Sequence, residues 1–482
     1  MTHRAEPPAE STLIDLSALA AVTAMRNGEL KAEHYARALL DRAGRMAHLN
    51  AFRVLDPVRV LEDARAADRL RHSGANVGAL HGLPIPVKDS IDSKALPTSN
   101  GTRTLRDFVP RQDAEVLTRL FAAGAILMGK TNLHELSYGW TSNNEAFGAV
   151  RNPYDIARTP GGSSGGSGAA VAARIAPLAL AEDTLGSIRV PAGMCGLAGL
   201  RPSYGRYPNG GILAQSDDRF DQVGPLARTV EDLVLFDSVM ARRPQHLPMR
   251  PISRARIGIA RVPMMTELDS EVARVSEEGF DRLRSAGATL VDAPLPPAAR
   301  EAMEAVLTVI AFETVPVFKA FLQTQCPALS FEEMLNGTGA SVRAELQSYA
   351  LPPGRPSPQA YRAALLQLEH IRAEMRQHFA VQGIEALAFP SIMVLPPLIG
   401  EEVEVTSDGR QVPLTLAMAR NTALGTAARM ASLVLPVGWS TGGLPIGLEF
   451  AALEGEDTAL LALGLSLERT LAFAARPVCR PA

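Results

Sequence analysis

Apolar residues recur at helical spacing through the first part of the chain. Residues 13–49 predict two helices: Ser17, Leu19 and Ala20 open the first, Asn27-Gly28 breaks it, and residues 32–45 form the second. Residues 57–71 predict a third, ending in the turn-rich Ser73-Gly74-Ala75-Asn76. From Gly82 to Arg228 the pattern shortens into strand-like runs, residues 83–87 and 125–128 among them, set between Gly, Ser, Pro and Asn. Arg242-Arg243-Pro244 then begins a polar connection. Residues 256–260 predict a strand, 269–285 an amphipathic helix and 300–385 mainly helix. Residues 387–397 and 433–450 read as strands and turns that rejoin the core. Helices alternating with short apolar runs, without internal repeat, predict an α/β fold with helices on both faces of a sheet.

Composition narrows the class. A chain of 482 residues makes one large α/β domain or two to three smaller ones. Hydrophobic residues at 46% and charged residues at 21% suit a soluble protein with a sizeable core. Lys+Arg 48 against Asp+Glu 51 leaves a net charge of −3, which excludes a basic footprint for nucleic acid and a polybasic face for a membrane. Cys195, Cys326 and Cys479 are too few and too scattered for a disulfide framework or a Cys-based zinc site, so a reducing compartment is expected. Met1 to Ser11 carries acidic and proline residues where a signal peptide needs a basic start and an apolar run. No stretch of about 20 residues is expected to span a bilayer. The Ala-rich residues 169–181 are interrupted by Arg174 and bounded by Glu182 and Asp183. A cytoplasmic protein is the expectation. Many of the 39 glycines lie between Gly82 and Arg228, alternating with buried-type apolar residues, which fits backbone packed tightly around a site rather than a linker.

Two motif matches fail on their physics. Residues 124–131 satisfy G-x-x-x-x-G-K-[ST], but the four interior positions, Ala125 to Met128, are apolar and read as a strand, leaving Lys130 without an anion cradle. Gly161-Gly162-Ser163-Ser164-Gly165 fits the G-x-S-x-G nucleophile turn of α/β-hydrolases. That chemistry needs a later histidine base, and His246, His370 and His378 sit in polar or helical surroundings.

Three other segments carry chemistry together: Gly82 to Asp89 with Lys88, Gly161 to Gly168 with Ser163 and Ser164, and Asp183 to Ala192 with Ser187. Taken singly, Lys88 reads as a strand-end lysine, the serines as turn residues and Ser187 as a helix cap. In this order and at these separations they closely resemble the amidase signature family, serine hydrolases with a Ser–cis-Ser–Lys triad. The resemblance is strong over residues 80–230, continues through Asp221 and residues 224–228, and returns weakly at residues 387–397 and 442–447. It implies a single large domain with a mixed, twisted central sheet. Residues 1–75 would be an N-terminal helical segment packing on the core, 76–242 the catalytic core, and 243–482 a substrate-shaping region that returns to the sheet.

The resemblance also assigns roles. Ser187 would attack a carbonyl to form an acyl-enzyme, Lys88 would be the base and Ser163 the proton relay, with the Gly162–Ser163 peptide cis. A neutral Lys88 requires burial to lower its value from about 10.4. Leu83, Ile85 and Val87 supply an apolar flank, and Asp89 is expected to point elsewhere. Ser164 would support the loop. Backbone N–H groups of Thr184, Leu185, Gly186 and Ser187 would form the oxyanion hole, braced by Asp183 and Arg189. Relatives usually carry Gly-Gly-Ser where this chain has Leu185-Gly186-Ser187, and a small residue in place of Glu182. Leu185 is expected at negative φ with its side chain lining the acyl pocket, and both departures bear on pocket shape rather than mechanism.

Tyr138, Gly139 and Trp140 lie in the loop that borders the acyl site in the family, the alternative for the aromatics being ordinary core. With Phe147-Gly148 and Arg206-Tyr207-Pro208, this loop looks most like the indoleacetamide and mandelamide hydrolase branch. The implied function is a stand-alone amidohydrolase of small apolar or aryl amides, with carbamate (urethane), anilide or ester cleavage as the alternative. Val190 stands where the amidotransferase subunit that makes Gln-tRNA usually carries glutamine. A rival of another class is a binding protein on the same fold, its oxyanion hole spoiled by Leu185. No metal or organic cofactor and no nucleic-acid or membrane partner is implied, and the family admits a homodimer.

Overall fold

Side-chain caps open two of the three N-terminal helices. Ser17 accepts a hydrogen bond from Ala20 N–H at the head of Ala18–Asn27, and Gly28 closes that helix. Ala32–Arg45 follows, then Pro57–His72, which starts on an Asp56 cap and a proline in its first turn. The computed structural model describes residues 13–243 and 246–473; Met1 to Ser11, Pro244 and Cys479 lie outside them.

Strands β1 (Phe52–Leu55), β2 (Pro84–Lys88), β3 (Ile126–Thr131), β4 (Leu178–Asp183), β5 (Ala198–Arg201) and β6 (Gln222–Ala227) come from the first half of the chain. The second half adds β7 (Arg256–Ile259), β8 (Thr289–Asp292), β9 (Ala386–Pro390), the separate hairpin of β10 (Glu404–Ser407) and β11 (Arg410–Pro413), β12 (Ala431–Trp439) and β13 (Pro445–Ala452). Eleven of these form one sheet in the order β1-β3-β2-β4-β6-β5-β12-β13-β9-β7-β8. It is mixed: β2 runs parallel to β3 and β4, while β6, β5, β12, β13 and β9 pair antiparallel in sequence. Every residue of β2, β4, β6 and β13 is buried, as a sheet covered on both faces requires. The result is a single large α/β domain.

The Ala-rich stretch divides between two elements, the helix Gly165–Ala172 and β4. This helix is buried at every position, and Gly166 is why it can sit there. A Cβ on Gly166 would lie 2.3 Å from Asn132 O and 2.5 Å from Ala51 O, both backbone atoms that cannot swing aside.

One expectation is corrected. Ala298–Gln325 is long and apolar enough to cross a membrane by length and composition, with a mean hydropathy of 1.8. Its apolar positions are instead spent inside the protein, where Val306, Val309 and Phe318 are buried and the helix packs on Pro358–Gln382 and Leu414–Ala427. Glu313, buried on the same helix, meets Arg219 at 2.6 Å.

Gly166→Ala is expected to destabilise the protein by about 2 kcal/mol or more, because the backbone on both sides must shift. Gly44→Ala, in open space on a helix, should leave stability unchanged or slightly raised. The midpoints of urea unfolding of the two variants check the contrast.

Candidate active site

Three loops meet beyond the carboxyl ends of the parallel strands β2 and β4. Lys88 is the last residue of β2 and is fully buried. Ser163 lies in the Gly-rich loop ahead of Gly165–Ala172, after a cis Gly162–Ser163 peptide. Ser187 sits in the turn between β4 and the helix Arg189–Cys195. The Lys88 amine donates to Ser163 Oγ at 2.6 Å, and Ser163 Oγ donates to Ser187 Oγ at 2.9 Å. All three are buried, so water competes little for these bonds.

The Ser187 turn is fastened from below. Asp183 accepts from Gly186 N–H at 2.9 Å and Ile188 N–H at 3.0 Å, and it pairs with Arg189 at 3.0 Å and Arg201 at 3.3 Å. Burial alone would raise the Asp183 carboxyl; the two guanidiniums and the N–H donors overcome it and hold it far below the usual carboxylate range. Arg189 continues to Glu449 on β13 at 3.2 Å. Ser164 Oγ donates to Glu182 O at 3.1 Å and ties the Gly-rich loop to β4.

The oxyanion expectation needs one correction. The Gly186 N–H is committed to Asp183, so it is not free for a substrate oxygen. Among the described residues no acceptor engages the N–H groups of Thr184, Leu185 or Ser187, which leaves three donors around the turn. Gly186 takes the left-handed conformation at φ 103°, and Leu185 is spared it. Leu185 is buried, and its carbonyl accepts the Trp140 indole N–H at 2.8 Å, which places Trp140 beside the turn. Tyr138 is buried, and Gly139 packs on the His134 ring.

Asp89 does turn away from Lys88, to Arg53 at 3.0 Å and to the Ser99 N–H at 3.1 Å. The surroundings of Lys88 are nevertheless not simply apolar. Glu182 Oε2 lies 2.8 Å from the amine, both side chains being buried. Glu182 therefore reaches the Lys88 amine, at the far end of the chain of bonds from Ser187, which corrects the expectation that it bears on pocket shape. Strand alternation sends Asp183 to Arg189 and Glu182 to the opposite face, toward Lys88. Ser90 and Ser137 also donate to Glu182 Oε2, at 3.2 and 3.3 Å. Asp221, linked to Glu182 through Thr184, is pushed up to about 6 by burial and by the neighbouring carboxylate. Burial, then the Lys88 charge, lowers His134 to about 4. The unusual Glu182 was visible in the sequence and Asp221 lay within the resemblance, whereas the part Ser90 and Ser137 play here was not signalled.

The rejected motifs are absorbed by structure. Gly129, Lys130 and Thr131 belong to β3, and the buried Lys130 donates to Ile91 O and Thr98 Oγ1. His370 and His378 lie on Pro358–Gln382, the first paired with Glu374. Among the described residues no group of three or more His, Cys, Asp or Glu side chains converges to hold a metal ion.

Comparison with known proteins defines the class. The chain is 34% identical over 430 residues to the indoleacetamide hydrolase of Agrobacterium vitis, covering 89% of this chain and 91% of that protein. It is also 34% identical over 492 residues to a glutamyl-tRNA(Gln) amidotransferase subunit of Chloroflexus aggregans, covering 94% of this chain and 96% of that one. A solved amidase structure superposes with a TM-score of 0.84 at 30% identity, over 94% of this chain and 99% of that chain. These relatives mark an amide-cleaving hydrolase. The amidase family profile matches residues 35–461, and the chain belongs to that family.

Asp183→Asn removes the counter-charge of two buried guanidiniums and is expected to cost about 3–5 kcal/mol. Because the folded-state value of Asp183 lies below its unfolded value of about 3.9, its stabilising contribution is complete above about pH 5 and is lost as pH falls below about 4. Unfolding free energies of the wild type and D183N, measured between pH 3 and pH 7, should converge toward the acid end.

Proposed function

We propose that the protein is an amidohydrolase that cleaves C–N bonds of small apolar or aryl amides through an acyl-enzyme on Ser187. The observation that carries this reading is the unbroken buried chain of hydrogen bonds from Lys88 through Ser163 to Ser187. A serine hydroxyl attacks well only as it loses its proton. With both hydroxyls turned to donate toward Lys88, Ser187 would give its proton to Ser163 while Ser163 gives its own to Lys88. As the Ser187 Oγ–carbon bond forms, negative charge grows on the carbonyl oxygen, and the free N–H groups of Thr184, Leu185 and Ser187 are placed to receive it. Collapse then breaks the C–N bond, and the proton returns along the same path to the leaving amine. Water next attacks the acyl carbon, passes a proton back through the relay and frees Ser187.

Aryl preference is supported by the buried Trp140 bound to the Leu185 carbonyl, by Tyr138 in the same segment, and by the aryl amide named for the indoleacetamide hydrolases. Carbamates, anilides and esters present the same carbonyl to the same serine, so the side chains around Leu185 rather than the relay would select among them. Leu185, buried and outside the left-handed region, leaves its N–H available, which favours catalysis over a binding protein on this fold.

Ser187→Ala is expected to abolish hydrolysis by about 10⁴-fold or more and Lys88→Ala by about 10³-fold or more, with no comparable loss for His246→Ala, His370→Ala or His378→Ala. Rates on a panel of primary arylamides, anilides and carbamates, together with fluorophosphonate labelling of Ser187, check the reading. Absence of a covalent adduct on folded protein would overturn it.

A further inference from the structure

A lysine that takes a proton from Ser163 needs room for it, yet the Glu182 carboxylate 2.8 Å from the Lys88 amine favours the fully charged ammonium. Both conditions hold together if the lysine can hand on a proton of its own. Glu182 Oε2 gathers Lys88, Ser90 and Ser137 as donors, whereas Oε1 has only the Thr184 hydroxyl at 3.2 Å. The single hydrogen of that hydroxyl lies nearer Asp221 Oδ1, at 2.7 Å. The Lys88–Glu182 contact at Oε2 therefore gives the relay a further station to which an ammonium hydrogen can pass, while the lightly engaged Oε1 leaves the carboxyl room to rearrange its donors.

Building on the roles proposed above for Lys88, Ser163 and Ser187, we propose that Glu182 is a positioning residue that holds the relay's proton. It acts through Lys88 and extends the chain to four stations. In the resting state Lys88 is an ammonium and Glu182 a carboxylate. During attack one ammonium hydrogen first passes to Glu182 Oε2; the amine and the two hydroxyls then turn, so that the Ser163 hydrogen moves to the vacated site on Lys88 and the Ser187 hydrogen to Ser163. Lys88 remains an ammonium, Glu182 becomes a neutral acid, and the pair's gain of one positive charge matches the negative charge on the substrate oxygen. When the C–N bond breaks, the proton retraces the path to the leaving nitrogen. The relay thus works without first losing a proton to solvent.

The pH signature has a definite sign. With Glu182 present, the relay has its own acceptor for the Lys88 hydrogen. Without it, Lys88 must first be deprotonated by solvent, which moves the acid limb of Ser187 reactivity toward alkaline pH. The other charged and titratable groups around the pair are Asp221, joined through Thr184, and His134, which faces Lys88; Asp183, Arg189 and Arg201 occupy the opposite face of β4.

The test is the rate of fluorophosphonate labelling of Ser187 from pH 5 to 10 in the wild type, Glu182→Gln and the smaller Glu182→Thr. The wild-type rate is expected to be level from about pH 7 upward. Both variants should label about ten-fold or more slowly at pH 6.5, yet come within about three-fold of the wild type at pH 9.5. An acid limb that is unchanged or moved to lower pH in the variants overturns the proposal. So does a folded variant that labels at no pH, or a wild-type rate that keeps climbing between pH 8 and 10. Failure of the wild type to label at all would instead defeat the underlying serine-hydrolase reading.

Discussion

An amine placed wholly inside a protein must be met by partners on every side that matters, and Lys88 is met by a hydroxyl and a carboxylate within 2.8 Å. The architecture around it serves this constraint. β2 delivers the side chain between two parallel neighbours, β4 delivers Glu182 from one side, and the Gly-rich loop brings Ser163 close from above. Loss of any one of these approaches would leave charge stranded in a dry interior, a large penalty on the scale of total protein stability.

The turn that carries Ser187 depends on a second buried charge cluster, on the opposite face of β4. Asp183 organises backbone donors and two guanidiniums, and Arg189 joins this group to Glu449 on β13 and to the helix Leu414–Ala427 through Thr422 O. The serine is therefore tied to the C-terminal part of the chain although its motif lies wholly within residues 183–192. On β4 two consecutive acidic residues face opposite ways, Asp183 securing the scaffold and Glu182 meeting Lys88.

Much of this was legible beforehand. The expected helices at 32–45 and 57–71 match Ala32–Arg45 and Pro57–His72, the first through its apolar periodicity and the second also through its Asp56 cap and Pro57. It was the family resemblance, not the spacing alone, that implied a grouping of Lys88, Ser163 and Ser187, and the structure brings the three side chains within hydrogen-bonding distance. The division of residues 169–181 into a helix and β4 was hidden, since small apolar residues satisfy both periodicities. The commitment of the Gly186 N–H to Asp183 depends on turn geometry that residue identity does not encode. Glu182 stood out by type, but its partner across the strand gap was set by register. The apolar run at 298–325 shows the converse limit: composition suited to lipid serves equally well for a helix packed between two others.

The strand order carries a consequence for biosynthesis. β1 to β6, with Lys88, Ser163 and Ser187, leave the ribosome early, but the free side of β5 is completed only by β12, after the long helical region has been made. Until Ala431–Trp439 emerges, the nascent chain holds a half-built sheet with an open hydrogen-bonding edge. Such edges recruit other strands and promote aggregation. Truncation before β12 would leave Ser187 in the chain but strip its sheet of closure, so the order of synthesis places the greatest misfolding hazard just before the last strands arrive.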